Sequence, residues 1–270
     1  MSYLSNTVMF LFLLVMIQGC SETEKQHKSH QVGVTVPLYI YPTTVNIYTG
    51  NTYWEELIDS AGENIELTAI INPTNGNHGR YPDKEFREGI KALQNNCIST
   101  LGYVYTKYGH RKSSVVIKSI DTYRDFYDVD GIFFDESNSS AAAINYYQNL
   151  QIRMRVESEM QQSIINPGVV PDRPFIDRSN SLSKVVVFEG SYATFEHSRI
   201  DLSAFKGKKN SFICLIYETP SFKMKRAVNL AIEKQCGHIY VTDDGGDNPW
   251  DTLPKYWHDF IAYVAQINNR

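Results

Sequence analysis

Short apolar, β-branched runs alternate with longer segments of helical periodicity from Val32 to the end of the chain. This order predicts a parallel sheet whose strands are joined by helices. Eight runs are predicted as strands, at residues 32–42, 65–73, 98–106, 130–136, 163–168, 185–191, 211–218 and 237–244. The segments between them predict helices near residues 53–61, 84–95, 113–127, 139–160, 172–182, 221–235 and 254–268. The connection at residues 192–210 is the least clearly defined.

Eight predicted strands that alternate with helices over about 250 residues predict a single-domain (β/α)8 TIM barrel, spanning residues 32–270. An open doubly wound sheet is the main alternative. Proteins of that class that bind nucleotides carry a glycine-rich phosphate loop after the first strand. The sequence contains no GxGxxG or Walker motif, so no nucleotide cofactor is expected.

The N-terminus predicts export. An apolar stretch from Val8 to Ile17 is too short to span a bilayer but suits a signal peptide over residues 1–19. Gly19 directly before Cys20 is typical of a bacterial lipobox, so Cys20 is the predicted lipidation site and residues 20–31 a polar tether. We expect anchoring in the cell envelope, at the outer membrane or surface. Ordinary secretory cleavage, with Cys20 incidental, is the alternative.

Composition and residue spacing limit the kinds of partner and cofactor that we expect. A net charge of −4 gives little support for a nucleic-acid partner, because such proteins present a basic surface to phosphates. The chain has neither CxxC nor HxH spacing, so no metal site and no cofactor are expected. We expect a monomer that contacts the membrane only through the lipid.

In such barrels, functional residues stand where strands end. Carboxylates close four of the predicted strands, and strands four, six and eight alternate around the barrel, so their side chains can face one another. Cleaving a glycosidic bond requires one protonated carboxyl and one ionised carboxylate. The candidate catalytic residues are therefore Asp135, Glu136 and Glu189. The alternative for Asp135 or Glu136 alone is capping of the next helix.

Other polar and aromatic residues at strand ends are candidates for binding sugar. The asparagines could supply amide groups or simply form Asn-Pro turns, Glu218 could be a site residue or a helix-start charge, and tyrosines could stack on sugar rings or pack in the core. The substrate-binding candidates are Tyr39, Tyr41, Asn72, Tyr105, Asn166, Tyr192, Glu218 and Asp243.

Six segments together resemble the spherulin-4 family. They are PLYIYP at 37–42, IINP at 70–73, LGYVYT at 101–106, VDGIFFDE at 129–136, INPG at 165–168 and VFEGSY at 187–192. The resemblance implies a (β/α)8 glycoside hydrolase that cleaves galactosaminogalactan-type exopolysaccharide, a biofilm polymer, at α-1,4-linked N-acetylgalactosamine or galactosamine. It implies that Asp135, Glu136 and Glu189 are the functional acids. The lipobox-like start and residues 137–140 depart from the family.

The acetamido group of an α-linked 2-acetamido sugar lies cis to the leaving oxygen and cannot attack from the opposite face. We therefore expect a retaining enzyme with Asp135 as nucleophile, Glu189 as acid/base and Glu136 positioning the substrate, although the three roles could permute. The main alternative is a non-catalytic surface protein that binds glycan. A Schiff-base aldolase using Lys107 and a carboxylate-bound Mg²⁺ enzyme are weaker alternatives.

Overall fold

The protein folds into a closed barrel of eight parallel strands in chain order. The structure, a computed structural model, describes residues 31–62, 64–75, 80–180 and 182–270. The strands are β1 Gly33–Leu38, β2 Leu67–Ile71, β3 Ser99–Tyr105, β4 Gly131–Asp135, β5 Gln162–Ile165, β6 Ser183–Ser191, β7 Phe212–Tyr217 and β8 His238–Val241. The predicted (β/α)8 barrel is confirmed. The predicted signal peptide, Cys20 and the tether up to residue 30 lie outside the described residues.

Pairing of the first strand with the last closes the barrel. Gly33 of β1 is aligned with His238 of β8, and Val34 with Ile239. A β-carbon at Gly33 would come within 2.4 Å of the His238 ring, so only glycine permits this approach. The histidine is itself buried, and its ring therefore fills the space beside Gly33.

The strands are buried on both faces, as their nearly continuous apolar sequences predict. In β4, for example, Phe133 and Phe134 are both almost inaccessible although they point to opposite sides of the sheet. One side of each strand fills the barrel interior and the other packs under the helices. Polar side chains can therefore reach solvent mainly where the strands end.

Eight α-helices surround the barrel. They are α1 Tyr53–Asp59, α2 Lys84–Asn95, α3 Ser113–Tyr127, α4 Ile144–Glu157, α5 Arg173–Arg178, α6 Tyr192–His197, α7 Met224–Glu233 and α8 Trp257–Asn268. Seven were predicted, two of them with the observed bounds. The exception is α6, which begins in the poorly defined connection after β6. Ser191 caps it by accepting a hydrogen bond from the backbone of Thr194.

Sequence signals at helix starts act as expected. Thr52 and Glu55 form a reciprocal capping box at the start of α1, and Asp83 accepts backbone hydrogen bonds from Glu85 and Phe86 at the start of α2. The predicted helix at 172–182 is shorter than expected, because Asn180 accepts hydrogen bonds from the backbones of Leu182 and Ser183 and so forms a turn before β6.

A disulfide joins Cys214 in β7 to Cys236 just before β8 and links two neighbouring strands. Among the described residues, no helix has the length and apolar character needed to cross a bilayer.

Candidate active site

The carboxyl ends of β4, β5 and β6 bring three predicted site residues into direct contact. Asp135 is the last residue of β4, Asn166 directly follows β5, and Glu189 lies near the end of β6. Backbone hydrogen bonds fix their relative positions along the barrel axis. The Asn166 N–H donates to the Phe134 carbonyl at 2.9 Å, and the Glu189 N–H donates to the Gly168 carbonyl at 3.1 Å. The three side chains therefore meet at the mouth of the barrel.

The side-chain amide of Asn166 bridges the two acids. Its nitrogen donates to Asp135 Oδ1 at 2.7 Å and to Glu189 Oε2 at 2.6 Å. Because both bonds start from one nitrogen, the two acceptor oxygens lie no further apart than about 5.3 Å, the sum of the two bond lengths. Asp135 and Glu189 are thus a close pair of carboxyl groups with a shared donor.

Tyr103 on β3 holds the other oxygen of Asp135. Its hydroxyl donates to Asp135 Oδ2 at 2.7 Å. The orientation follows from the residue before it: a β-carbon at Gly102 would strike the Tyr123 ring of α3, so residue 102 faces the helices and Tyr103 faces the barrel interior. Asp135 therefore accepts two hydrogen bonds, one on each carboxylate oxygen.

Glu189 is partly buried at the mouth of the barrel. Burial is the main cause that raises the pKa of Glu189 to about 7, and the nearby charge of Asp135 adds to it. Hydrogen bonds from Asn166 and from the indole of Trp250 act in the opposite direction. A carboxyl group with this pKa can carry a proton near neutral pH and also release it.

Tyr39, the residue after β1, completes the inner wall. Its ring meets that of Tyr103 edge to face, with centroids 5.5 Å apart. Burial, followed by the charge of Asp135, holds the pKa of Tyr39 well above its usual range, so the phenol stays protonated. This residue is close to both acids, as Glu189 also contributes to its pKa.

Glu136 leaves the strand in a left-handed conformation, with φ of 46°. Its carbonyl accepts hydrogen bonds from Thr106 Oγ1 at 2.9 Å and from the Tyr108 backbone at 2.6 Å. The turn that follows is capped by other groups, Ser140 and Asp172, which accept from the backbones at residues 142 and 141. The capping role considered for Asp135 or Glu136 is therefore filled elsewhere.

The remaining predicted tyrosines lie apart from the bridged acids. The Tyr41 hydroxyl donates to Asp83 at the start of α2, and the Tyr192 hydroxyl donates to Glu196 within α6. The guanidinium of Arg111 covers the ring of Tyr105 at 4.0 Å. We identify no contact of these three rings with the carboxyl pair in the described part of the chain.

Asn72 directly follows β2 and precedes a proline, as Asn166 does after β5. Its amide nitrogen donates to Asn75 at 3.3 Å, a contact within its own loop. Its amide oxygen is buried and has no hydrogen-bond partner among the described atoms. Asn72 is thus a turn residue in this structure, whereas Asn166 contacts the acids.

Glu218 and Asp243 line a separate cavity of about 570 Å³ beside the start of α8. Asp243 accepts a hydrogen bond from the backbone of Lys255 at 3.0 Å, and the Lys255 ammonium lies 3.6 Å from the same carboxylate. Glu218 adopts a left-handed conformation, and its N–H donates to the Asp244 carbonyl. The acids after β7 and β8 therefore form a second acidic region rather than joining Asp135 and Glu189.

Sequence reasoning missed the contact between Tyr103 and Asp135. It selected Tyr105 because that residue closes the strand, yet Tyr103 lies two positions earlier on the same face. A phenol is long enough to reach the next layer of the barrel. Trp250 lies in the loop after β8, and its hydrogen bond to Glu189 depends on the fold of that loop.

Among the described residues, no group of three or more histidine, cysteine, aspartate or glutamate side chains is placed to hold a metal ion.

A closed parallel barrel with paired carboxylates at its mouth defines a glycoside-hydrolase-like (β/α)8 protein. The chain belongs to spherulation-specific family 4, whose profile matches residues 33–264. It is 30% identical to Spherulin-4 of Physarum polycephalum over 250 residues, which are 89% of this chain and 72% of that protein. It is also similar to the crystal structure of Aspergillus clavatus Sph3 in complex with GalNAc, with a TM-score of 0.72, 26% identity, and coverage of 87% of this chain and 98% of that one.

Proposed function

We propose that the protein is a glycoside hydrolase that cleaves polysaccharide at α-1,4-linked N-acetylgalactosamine or galactosamine residues. The observation that carries the proposal is the pair of Asp135 and Glu189 joined through Asn166. Asp135 accepts hydrogen bonds from Tyr103 and Asn166, and Glu189 is partly buried with its pKa raised to about 7. Glycosidic cleavage requires such a pair, in which one carboxyl group can hold a proton near neutral pH.

The sugar class rests on the comparison with Sph3, which was crystallised with GalNAc. That protein shares the fold and 26% of the aligned sequence with this chain. The linkage rests on the family resemblance. The polymer and its degree of acetylation are the parts of the proposal that a glycan panel would define.

Retention of configuration is supported by the closeness of the two acids, whose facing oxygens, Asp135 Oδ1 and Glu189 Oε2, are at most about 5.3 Å apart. Retaining enzymes hold their acids roughly 5–5.5 Å apart, whereas inverting enzymes leave roughly 6.5–9.5 Å for a water molecule. In the first step, Asp135 forms a bond to the anomeric carbon, the glycosidic C–O bond breaks, and the Glu189 proton moves to the leaving oxygen. In the second, water attacks that carbon, returns a proton to Glu189 and releases Asp135 as a carboxylate.

The change of role by Glu189 follows from the electrostatics. The charge of Asp135 contributes to the raised pKa of Glu189. Asp135 is an uncharged ester in the covalent intermediate, so this contribution disappears and the Glu189 pKa falls. Glu189 is then more readily ionised, and the carboxylate can accept a proton from the attacking water.

Glu136 is assigned to substrate positioning. It lies directly beyond Asp135, in a turn held by Thr106 and Tyr108. Its charge also contributes to the raised pKa of Tyr103, which places it near the donor to Asp135. We expect its loss to weaken substrate binding more than it slows the bond-breaking step.

Reducing-end release from partially deacetylated galactosaminogalactan tests the proposal. Asp135→Asn and Glu189→Gln are each expected to lower the rate by about a hundredfold or more while the protein stays folded. Glu88→Gln on the outer face of α2 is the matched control and should cleave at the wild-type rate. If the wild type binds a glycan but releases nothing from any of a broad panel, the protein is a non-catalytic glycan-binding barrel.

The expected cell location is a separate proposal that rests on the N-terminal sequence. The apolar stretch before Cys20 supports export, and Gly19-Cys20 supports lipid attachment in the cell envelope. Metabolic labelling with a palmitate analogue, compared between wild type and Cys20→Ala, tests it. Labelling that persists in the variant would exclude Cys20 as the attachment site.

A further inference from the structure

The Asn166-Pro167-Gly168 segment connects the ends of three neighbouring strands. Beyond the bond to Phe134 of β4, the Asn166 carbonyl accepts from the Ser137 backbone at 2.9 Å. The Gly168 carbonyl accepts from the Glu189 backbone of β6. This turn is thus tied on one side to the strand that carries Asp135 and on the other to the strand that carries Glu189.

Hydrogen bonding fixes which way the Asn166 amide faces. Its oxygen accepts from the Gly168 N–H at 3.0 Å, so that atom is directed at its own turn. Its nitrogen then faces the two carboxyl groups. The reverse orientation would direct an oxygen at both acids and a nitrogen at a backbone donor, which would break all three hydrogen bonds.

This arrangement leaves Asn166 little capacity to bind sugar. Both amide hydrogens are used, one by Asp135 and one by Glu189. The residue is also only 5% exposed. The sequence alone suggested Asn166 as a donor to sugar hydroxyls, whereas its contacts are with the acids.

We infer that Asn166 is a positioning residue: its amide fixes the distance between Asp135 and Glu189 and donates a hydrogen bond to each, so that Asp135 can attack while Glu189 exchanges a proton. The inference rests on the proposed hydrolase function. The spacing of the two acids that retention requires is then set by one amide in a three-residue turn, rather than by either acid alone.

Other groups around Glu189 also affect its environment and must stay unchanged if the effect of Asn166 is to be measured. Asp135 faces it from β4, Tyr39 from the end of β1 and Tyr103 from β3, while Trp250 donates from the loop after β8. Of these, Asp135 raises the Glu189 pKa and Trp250 lowers it. The test therefore changes Asn166 only.

Asn166→Asp keeps the size of the side chain and an oxygen for the Gly168 N–H but removes both donors. Asn166→Ala removes the donors without adding charge. Each variant is expected to lower kcat by about tenfold to a hundredfold with little change in KM. The alkaline limb of the rate profile, where Glu189 loses its proton, should move to higher pH by about one unit in Asn166→Ala and further in Asn166→Asp.

A second readout does not depend on turnover. The Glu189 carboxyl can be titrated by ¹³C NMR in the intact protein, with its signal assigned by comparison with Glu189→Gln. Its midpoint should rise in both Asn166 variants. Asn72→Ala, the same change in the Asn-Pro pair after β2, should leave the Glu189 midpoint where it is in the wild type, whatever its effect on substrate affinity.

The inference is overturned if Asn166→Ala stays folded and keeps both the Glu189 midpoint and the wild-type kcat. It is also overturned if activity falls with an unchanged midpoint, since that indicates a purely structural role. If the wild type cleaves no glycan, the hydrolase proposal fails, but the titration still decides whether Asn166 controls the protonation of Glu189.

Discussion

The phenol of Tyr103 donates to Asp135 at 2.7 Å, across the boundary between β3 and β4. Burial and the adjacent carboxylate both raise the pKa of Tyr103 far above its usual range, so the hydroxyl remains a donor at any physiological pH. Asp135 therefore has a permanent partner on its outer oxygen, while Asn166 occupies the other. A nucleophile held from both sides has its orientation fixed before substrate arrives.

Tyr103→Phe removes this donor and leaves the ring. A hydrogen bond to a charged group contributes roughly 1.5–3 kcal/mol, so kcat is expected to fall by about tenfold to a hundredfold. Steady-state rates with galactosaminogalactan fragments measure the effect. Tyr263→Phe, which removes a hydroxyl bonded to Asn229 on the outer helices, is the matched control. Equal rates in the two variants would mean that the contact with Asp135 has no catalytic role.

Glu189 should make the folded protein less stable as the pH rises. Its ordinary pKa near 4.5 is raised to about 7 in the folded state. Between these values the folded state holds a proton that the unfolded state has released, so the free energy of unfolding falls with increasing pH across this window. The total is roughly 3 kcal/mol for a shift of this size.

Glu189→Gln should remove this dependence, since glutamine does not titrate. We expect the variant to be more stable than wild type at pH 8 and to be inactive, as residues buried for catalysis often reduce stability. Urea unfolding at pH 5 and pH 8 measures both proteins. Parallel pH dependence in wild type and variant would show that Glu189 does not carry the shift.

The disulfide between Cys214 and Cys236 should stabilise the β7 and β8 side of the barrel. It closes a segment with a sequence separation of 22 residues. A loop of this size corresponds to about 3 kcal/mol of reduced unfolded-state entropy. The double change Cys214→Ala and Cys236→Ala should lower the free energy of unfolding by roughly 2–4 kcal/mol in a urea titration. An unchanged unfolding midpoint would contradict this.

Exposed aromatic rings in the loops around the mouth should contribute to binding of long polymers. Tyr48, after β1, is 74% exposed, and Phe222, after β7, is 81% exposed. Both loops lie at the same end of the barrel as the acids. Tyr48→Ala and Phe222→Ala should each weaken polymer binding by about threefold to tenfold, the scale of a single ring contact.

Calorimetry with the polymer measures this affinity, and trisaccharide turnover should remain at the wild-type level. Ile152→Ala is the control, because Ile152 is 58% exposed but lies on α4, away from the mouth. A loss of affinity in the control as large as in the loop variants would show that exposure alone, not position, causes the effect.

The barrel could be predicted from local patterns because its strands are buried on both faces. Apolar β-branched runs such as 185–188 have few other places in a folded protein. The helices α2 and α3 have the predicted bounds, since their amphipathic period is regular. The short α6 was missed because six residues give too little periodicity, and its start depends on a single serine cap.

Strand position also selected Asp135 and Glu189. Burying an acid at the end of an apolar strand costs free energy unless the acid reaches solvent or a partner. Both positions therefore indicated a functional site from the sequence alone. Adjacent residues of a strand face opposite sides, and the sequence does not show which of Asp135 and Glu136 faces the barrel axis. The structure separates them: Asp135 accepts a hydrogen bond from Tyr103, whereas the chain turns at Glu136, which has a left-handed backbone conformation.

The sequence by itself determined the order of strands and helices, and which carboxyl groups stand at strand ends, since both depend on short-range periodicity and on the cost of burying charge. Only the tertiary structure decided which of those groups meet. Asp135, Asn166 and Glu189 are brought together by the pairing and register of β4, β5 and β6, whereas Glu218 and Asp243 line a cavity beside Lys255. These distances depend on residues far apart in the chain, and local sequence carries no measure of them.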